Sequence, residues 1–244
     1  MRRLLAIALL VFVALAAASC GGKGEIDPIP TPLGKPEDGL ILLSASSGLQ
    51  SESHEEPPSD LVAVVGLPGA LEPGVLVVVE NPSGAFSRET AVGDDGSFAT
   101  SLAAAANDTL RIYPRLRPDG RAPIDGPAIQ RRVAPEEEGV TPKPPVTHIM
   151  SGPGAGGRAI YAWAEASGEA LVRAAPETVE PGLEVVIGNT DRAAIVTVIA
   201  AADGSFEARL TAGRGDRLAL FARWADAGAT DPDGASTMVG VTVE

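Results

Sequence analysis

Beyond an apolar run at residues 4–18, hydrophobic positions along this chain recur with a period of two. In "VLVVVEN" the residues Val75, Val77 and Val79 fall on one side of an extended strand. Leu183, Val185 and Ile187 do the same in "LEVVIGN", where Glu184 stands at the position of Leu76. Phe98 with Leu102, Phe206 with Leu210, Leu110 with Ile112 and Leu218 with Leu220 continue the alternation. The segments run five to nine residues between Gly, Pro, Asn and Asp, and no stretch after the apolar run keeps a 3.6 period with helix caps. The pattern predicts an all-β protein, with strands in its first half near 40–47, 61–67, 75–81, 86–92, 97–103, 109–115 and 127–134.

The pattern occurs twice. At an offset of 203 − 95 = 108, "LEPGVLVVVEN" (71–81) matches "VEPGLEVVIGN" (179–189) and "DDGSF" (94–98) matches "ADGSF" (202–206). Residues 64–136 align in this way with 172–244 without a gap, pairing "DG" at 125–126 with "DG" at 233–234, which marks a duplicated unit. An upstream strand pairs "LILLSASSG" (40–48) with "IYAWAEASG" (160–168) at an offset of 120, matching Trp163 to Leu43; Trp224 falls opposite Leu116. The extra residues lie in the polar "LQSESHEEPPSD". The repeated Asp-Gly, between strand patterns, predicts a tight hairpin whose central residues take positive φ.

The chain begins "MRRLLAIALLVFVALAAASCGG": two arginines, the apolar run, small residues and then Cys20, the single cysteine. The run is too short for a permanent membrane span and reads as a secretory signal over residues 1–19. "AASC" resembles the lipobox of bacterial lipoproteins, with Ala17 where that family more often has Leu. The resemblance implies lipidation of Cys20, and Gly21 resembles the signal that sends such proteins to an outer membrane. The expected address is therefore the bacterial cell envelope, lipid-anchored, with the membrane as one partner. A single cysteine provides no internal disulfide, so stability must come from core burial.

The order "PGALEPGVLVVVEN", "GDDGSF", "NDTLRIY" and a final short strand resembles the bacterial immunoglobulin-like domains found in tandem on exported proteins, and also carboxypeptidase regulatory-like modules. The resemblance implies two immunoglobulin-like β-sandwiches of about seven short strands each. The expected organisation is a signal at 1–19, a lipidated cysteine and Pro-rich tether at 20–38, a first module at 39–136, a Pro/Gly-rich linker at 137–157 and a second module at 158–244. A linker of that composition is expected to let the modules reorient, unless Ile149 and Met150 dock on one of them.

The formal net charge of −13 becomes −13 − 2 = −15 without Arg2 and Arg3, which excludes nucleic acid as a partner. The two histidines, His54 and His148, fall in proposed loops; no nucleophile–base pair is evident and no cofactor is implied, so a non-enzymatic chain is expected. "GPGAGG" (152–157) reads as linker, and "RGD" (214–216) as a turn whose Asp216 matches Asp108 and opens a strand. Two candidate sites remain. Asp226, Asp231 and Asp233 crowd one loop, as a weak calcium site requires. Tyr161 and Trp163 share one side of a strand and, with Trp224, form a candidate ligand platform. The expected role is a structural or adhesive envelope lipoprotein with a protein partner, with carbohydrate binding as the alternative.

Overall fold

The computed structural model describes residues 32–46, 61–137, 141–146, 148–149, 157–231 and 234–244. The chain divides into Met1–Thr31, which lies outside these residues, and a compact unit Pro32–Glu244. In the first half a short 3₁₀ turn (Asp38–Leu40) leads into β1 (Ile41–Leu43), β2 (Leu61–Gly66), β3 (Leu76–Asn81), β4 (Phe86–Ala91), β5 (Phe98–Ala103), β6 (Thr109–Leu116), β7 (Ile124–Asp125) and β8 (Ile129–Arg132). A two-residue pair, β9 (His148–Ile149) with β10 (Gly157–Arg158), stands between the halves. The second half contains β11 (Ile160–Ala164), β12 (Glu169–Ala174), β13 (Glu184–Asn189), β14 (Ala194–Ile199), β15 (Phe206–Thr211), β16 (Arg217–Arg223) and β17 (Val239–Thr242).

Both halves are antiparallel sandwiches of one topology. A three-stranded sheet, β1-β2-β5 or β11-β12-β15, faces a larger one, β4-β3-β6 with β7 and β8 or β14-β13-β16-β17. This is the strand arrangement of an immunoglobulin-like sandwich, and the all-β expectation holds. The alternating residues fill each interior: Val77, Val79, Phe98, Leu102, Leu110 and Ile112 in the first, and Val185, Ile187, Phe206, Leu210, Leu218 and Leu220 in the second.

Two details of the repeat differ from the sequence alignment. Ile41 pairs with Gly66 as Ile160 pairs with Ala174, so the first strands correspond at 160 − 41 = 119 and Trp163 stands opposite Ser44, not Leu43. That single residue matters, because a one-residue slip exchanges the two faces of a strand. The last strands correspond at 110: Arg131 pairs with Leu110 as Val241 pairs with Leu218, and Asp125 corresponds to Ala235. The second half thus holds two more residues in the loop before its last strand, and ladder pairing overrides the gapless match of the two "DG" pairs.

The Asp-Gly turns are also not the predicted hairpins. β4 pairs with β3 and β5 with β2, so the turn carries the chain from one sheet to the other. Only the glycine has positive φ, +84° at Gly96 and +80° at Gly204, with Gly96 N–H bonded to Gly93 O at 2.9 Å: a type I turn closed by a left-handed glycine. A Cβ at either glycine would lie 2.3 Å from a carbonyl oxygen, that of Leu71 or Val179. The aspartates bind the turn from within, Ser97 and Ser205 N–H donating to Asp95 and Asp203 Oδ1 at 2.9 and 3.0 Å.

A third apolar cluster joins the two sandwiches, contrary to the expected free reorientation. Leu42, Ala63, Val65 and Ala99, on the outer face of the first sandwich's small sheet, are buried against Val186, Ala219, Phe221 and Ala235 on the outer face of the second's large sheet. Gly188 lets the faces close, since a Cβ there would lie 2.8 Å from Ala99 Cβ. Beside this seam Ala45 N–H donates to Ser236 O at 2.8 Å, and Thr237 Oγ1 to Glu136 Oε2 at 3.1 Å. Of the proposed linker, Val146 N–H donates to Thr178 O at 2.8 Å. Met150 lies outside the described residues, and Ile149 is described only through its backbone pairing with Gly157.

Candidate functional site

Ile160 and Ala162 of β11 point into the second core, so Tyr161 and Trp163 point out from the small sheet. Their rings lie parallel, 4° between planes and 5.5 Å between centroids, each a little over a third exposed. Across the register Tyr161 faces Arg173 and Trp163 faces Leu171. Arg173 pairs with Glu207 at 2.6 Å and Arg209 with Glu165 at 3.4 Å, and the hydrogen bond from Arg173 holds the Glu207 carboxyl below the usual range. Trp224 directly follows β16 on the other sheet, and its backbone N–H donates to Gly234 O. The structure therefore brings together two of the three platform residues.

The acidic loop has a packing role. Asp231 N–H donates to Gly228 O, Ala227 N–H to Trp224 O and Arg223 Nη2 to Ala227 O, while Ala229 packs against the seam. Asp226 and Asp231 lie on its exposed side and Asp233 is outside the described residues. Among the described residues no group of three or more His, Cys, Asp or Glu is placed to hold a metal ion. Cys20 lies outside the described residues.

The Asp of "RGD" is a structural residue. Asp216 Oδ2 accepts from Asn189 Nδ2 at 2.9 Å, from Gly213 N–H at 2.9 Å and from Arg192 Nε at 2.6 Å. Desolvation alone would raise its pKa; these bonds outweigh it and hold the carboxyl below its ordinary range. The first half repeats the lock, with Asn81 Nδ2 and Ala105 N–H donating to Asp108 Oδ2 at 2.7 and 2.9 Å. The sequence signal was available, since Asn81 and Asn189 match at the same offset as the two aspartates.

The first sandwich presents a different outer face. At the positions of Phe221, Ala219 and Gly188 it has Tyr113, Arg111 and Glu80. Tyr113 is buried beneath a layer of ion pairs: Arg111–Glu80 at 3.1 Å, Arg115–Asp125 at 2.6 Å and Arg117–Glu89 at 2.7 Å. Its hydroxyl donates to Glu80 Oε1 at 2.6 Å, and burial, then Glu80, pushes its pKa up to about 12. This face is closed by its own charges, whereas its counterpart forms the seam.

No family model and no curated protein matches the chain. Among solved structures it is similar to the BSP domain of a biofilm-associated protein, at 16% identity over 84% of this chain and 29% of that one, with a TM-score of 0.28. It is similar to the ligand-binding domain of human OSCAR, at 12% over 87% of this chain and 100% of that one, with a TM-score of 0.29. A two-domain fibronectin type III segment of chicken tenascin matches at 11% over 79% and 96%, with a TM-score of 0.23. The chain spans less than a third of the biofilm-associated chain.

Proposed function

We propose that this chain is a non-enzymatic lipoprotein of the bacterial cell envelope, anchored through Cys20, most naturally in an outer membrane. In this reading two joined sandwiches are presented for structural or protein–protein adhesion. The observation that carries it is the seam: the duplicated fold uses part of two sheet faces to join its halves, leaving the remaining faces and edges as surfaces for partners. The signal-like start and the lipobox-like "AASC" support the anchor. The test is metabolic labelling with an alkyne fatty acid. Label on the wild type that disappears in Cys20→Ala, with the variant released from membranes, supports the reading; an unlabelled wild type overturns the anchor. Purified protein used as bait on envelope extract tests adhesion, and recovery of no specific partner counts against it.

A second reading, carbohydrate binding, rests on the exposed Tyr161–Trp163 pair. The stacked arrangement occupies one face of each ring with the other, leaving less aromatic surface for a sugar. A glycan array decides: binding lost in Trp163→Ala supports this reading, and no signal for the wild type removes it.

A further inference from the structure

Among the described residues, the outward backbone edges of the second sandwich are open along one side. Ala159 O accepts from Ala175 N–H and Glu165 N–H donates to Glu169 O, so the odd residues of β11 bond to β12 and the even ones face away. On β17, Val243 bonds to Asp216 and Gly215, so Gly240, Thr242 and Glu244 face away from β16. The two edges meet only at the chain end, where Glu244 N–H donates to Ala162 O and Ala164 N–H to Glu244 O. Before that point they diverge around a groove of about 420 Å³, lined by Arg158, Ile160, Ala162, Val241 and Thr242, among others. Among the described residues, the N–H and C=O of Ile160, Gly240 and Thr242 and the N–H of Ala162 have no partner. The floor is aliphatic, and Arg158 pairs with Glu244 at the rim.

The first sandwich narrows the corresponding opening to about 240 Å³. In place of Val241 it has Arg131, whose Nη2 donates to Ile41 O at 3.1 Å and also to Asp38 O. Arg131 Nε stands 3.0 Å from Asp38 Oδ1, an ion pair without hydrogen-bond alignment. In place of Ala162 it has the larger Leu43. Polypeptide from the other sandwich covers what remains: Ala229, Thr230 and Asp231 line the opening between β1 and β8, and Thr237 forms a parallel bridge with Ala45 at the end of β1. The first opening is thus latched by its own arginine and narrowed by chain from the second sandwich, and among the described residues the second opening has neither device.

We propose that the groove between β11 and β17 binds an extended peptide segment of a partner protein by β-strand addition, with small aliphatic side chains at alternate positions facing Ile160, Ala162 and Val241. Facing rows of donors and acceptors above an aliphatic floor match a strand, whose backbone supplies the ladder and whose alternate side chains supply the apolar contact. This deepens the adhesion reading by naming the chemistry of the partner and does not depend on the anchor. Failure of the peptide test would leave labelling at Cys20 untouched, so the two fail separately.

The test is fluorescence anisotropy of the purified protein with a fluorescein-labelled peptide alternating valine and threonine between terminal lysines. Val241→Arg copies the latch of the first sandwich. Thr242→Pro removes an outward N–H while sparing the bonds to β16, a substitution that sheet edges tolerate. The expected result is saturable binding by the wild type, weakened at least about tenfold in each variant that keeps the wild-type melting curve. Binding should also slow amide exchange at Ile160, Ala162, Gly240 and Thr242. If Val241→Arg fails to fold, Thr242→Pro alone reads the outcome. No saturable binding by the wild type, or equal binding by the folded variants, overturns the proposal. So does a concentration-dependent dimer abolished by Thr242→Pro, which would assign the groove to a second copy of the chain.

Discussion

Gly204 illustrates how much a single residue of the repeat carries. It combines φ of +80° with a backbone approach that a methyl group would obstruct at 2.3 Å from Val179 O. Gly204→Ala should therefore cost more than the roughly 1–2 kcal/mol of a left-handed alanine alone, read as a lower urea midpoint. An unchanged midpoint would mean that the turn relaxes freely. Asp216 is the second such residue. Asp216→Ala leaves the Gly213 amide without its acceptor and Asn189 Nδ2 with only Thr211 O, and should cost about 2 kcal/mol. The pH dependence follows from the same carboxylates. Asp216, Asp191, Asp95 and Asp125 have folded pKa values below their unfolded ones. Their contribution is present above the ordinary carboxyl range of about 4 and is lost as pH falls through the depressed folded values. Urea midpoints should hold near neutrality and fall in acid, less steeply in Asp216→Ala; a flat acid limb contradicts this.

At the scale of elements, the strands were legible because alternation reports one buried face. In the first half every expected strand is present within two residues at each end, except that β1 is shorter, and the two-residue β7 falls ahead of the last expected strand, which is β8. The other face was harder to read. β2, "LVAVVG", and β16, "RLALFAR", are apolar on both sides, the mark of a strand covered on both faces. Comparison of the repeats sharpens that mark: Val65 and Ala99 stand where the second half has Arg173 and Glu207, and Phe221 and Ala219 where the first has Tyr113 and Arg111. Each half keeps charge on the face where the other is apolar. The placement of β11 was not legible, because five residues of mixed polarity fit either register until the pairing with β12 is known. Phe221→Ala, at a fully buried seam position, should cost about 3–5 kcal/mol. Trp163→Ala, half-exposed on its sheet, should cost under about 1 kcal/mol. Similar losses in urea unfolding would contradict these assignments.

For the whole compact unit, duplication produced one body by making its copies unlike. A seam of small and apolar residues closes over Gly188, while Tyr113 with its ion pairs and Tyr161 with Trp163 occupy the two corresponding faces, which have no covering sheet among the described residues. The Pro/Gly composition of the linker signalled freedom, but composition carries no information about the faces on either side of it. Those faces determine whether the halves separate. The central claim is therefore that the two sandwiches unfold together, and amide hydrogen exchange of Phe221→Ala against the wild type tests it most directly. Lost protection in β2 and β5 of the first sandwich as well as in β13 and β16 of the second is the predicted result. Loss confined to the second sandwich, with β2 and β5 exchanging as in the wild type, would contradict it.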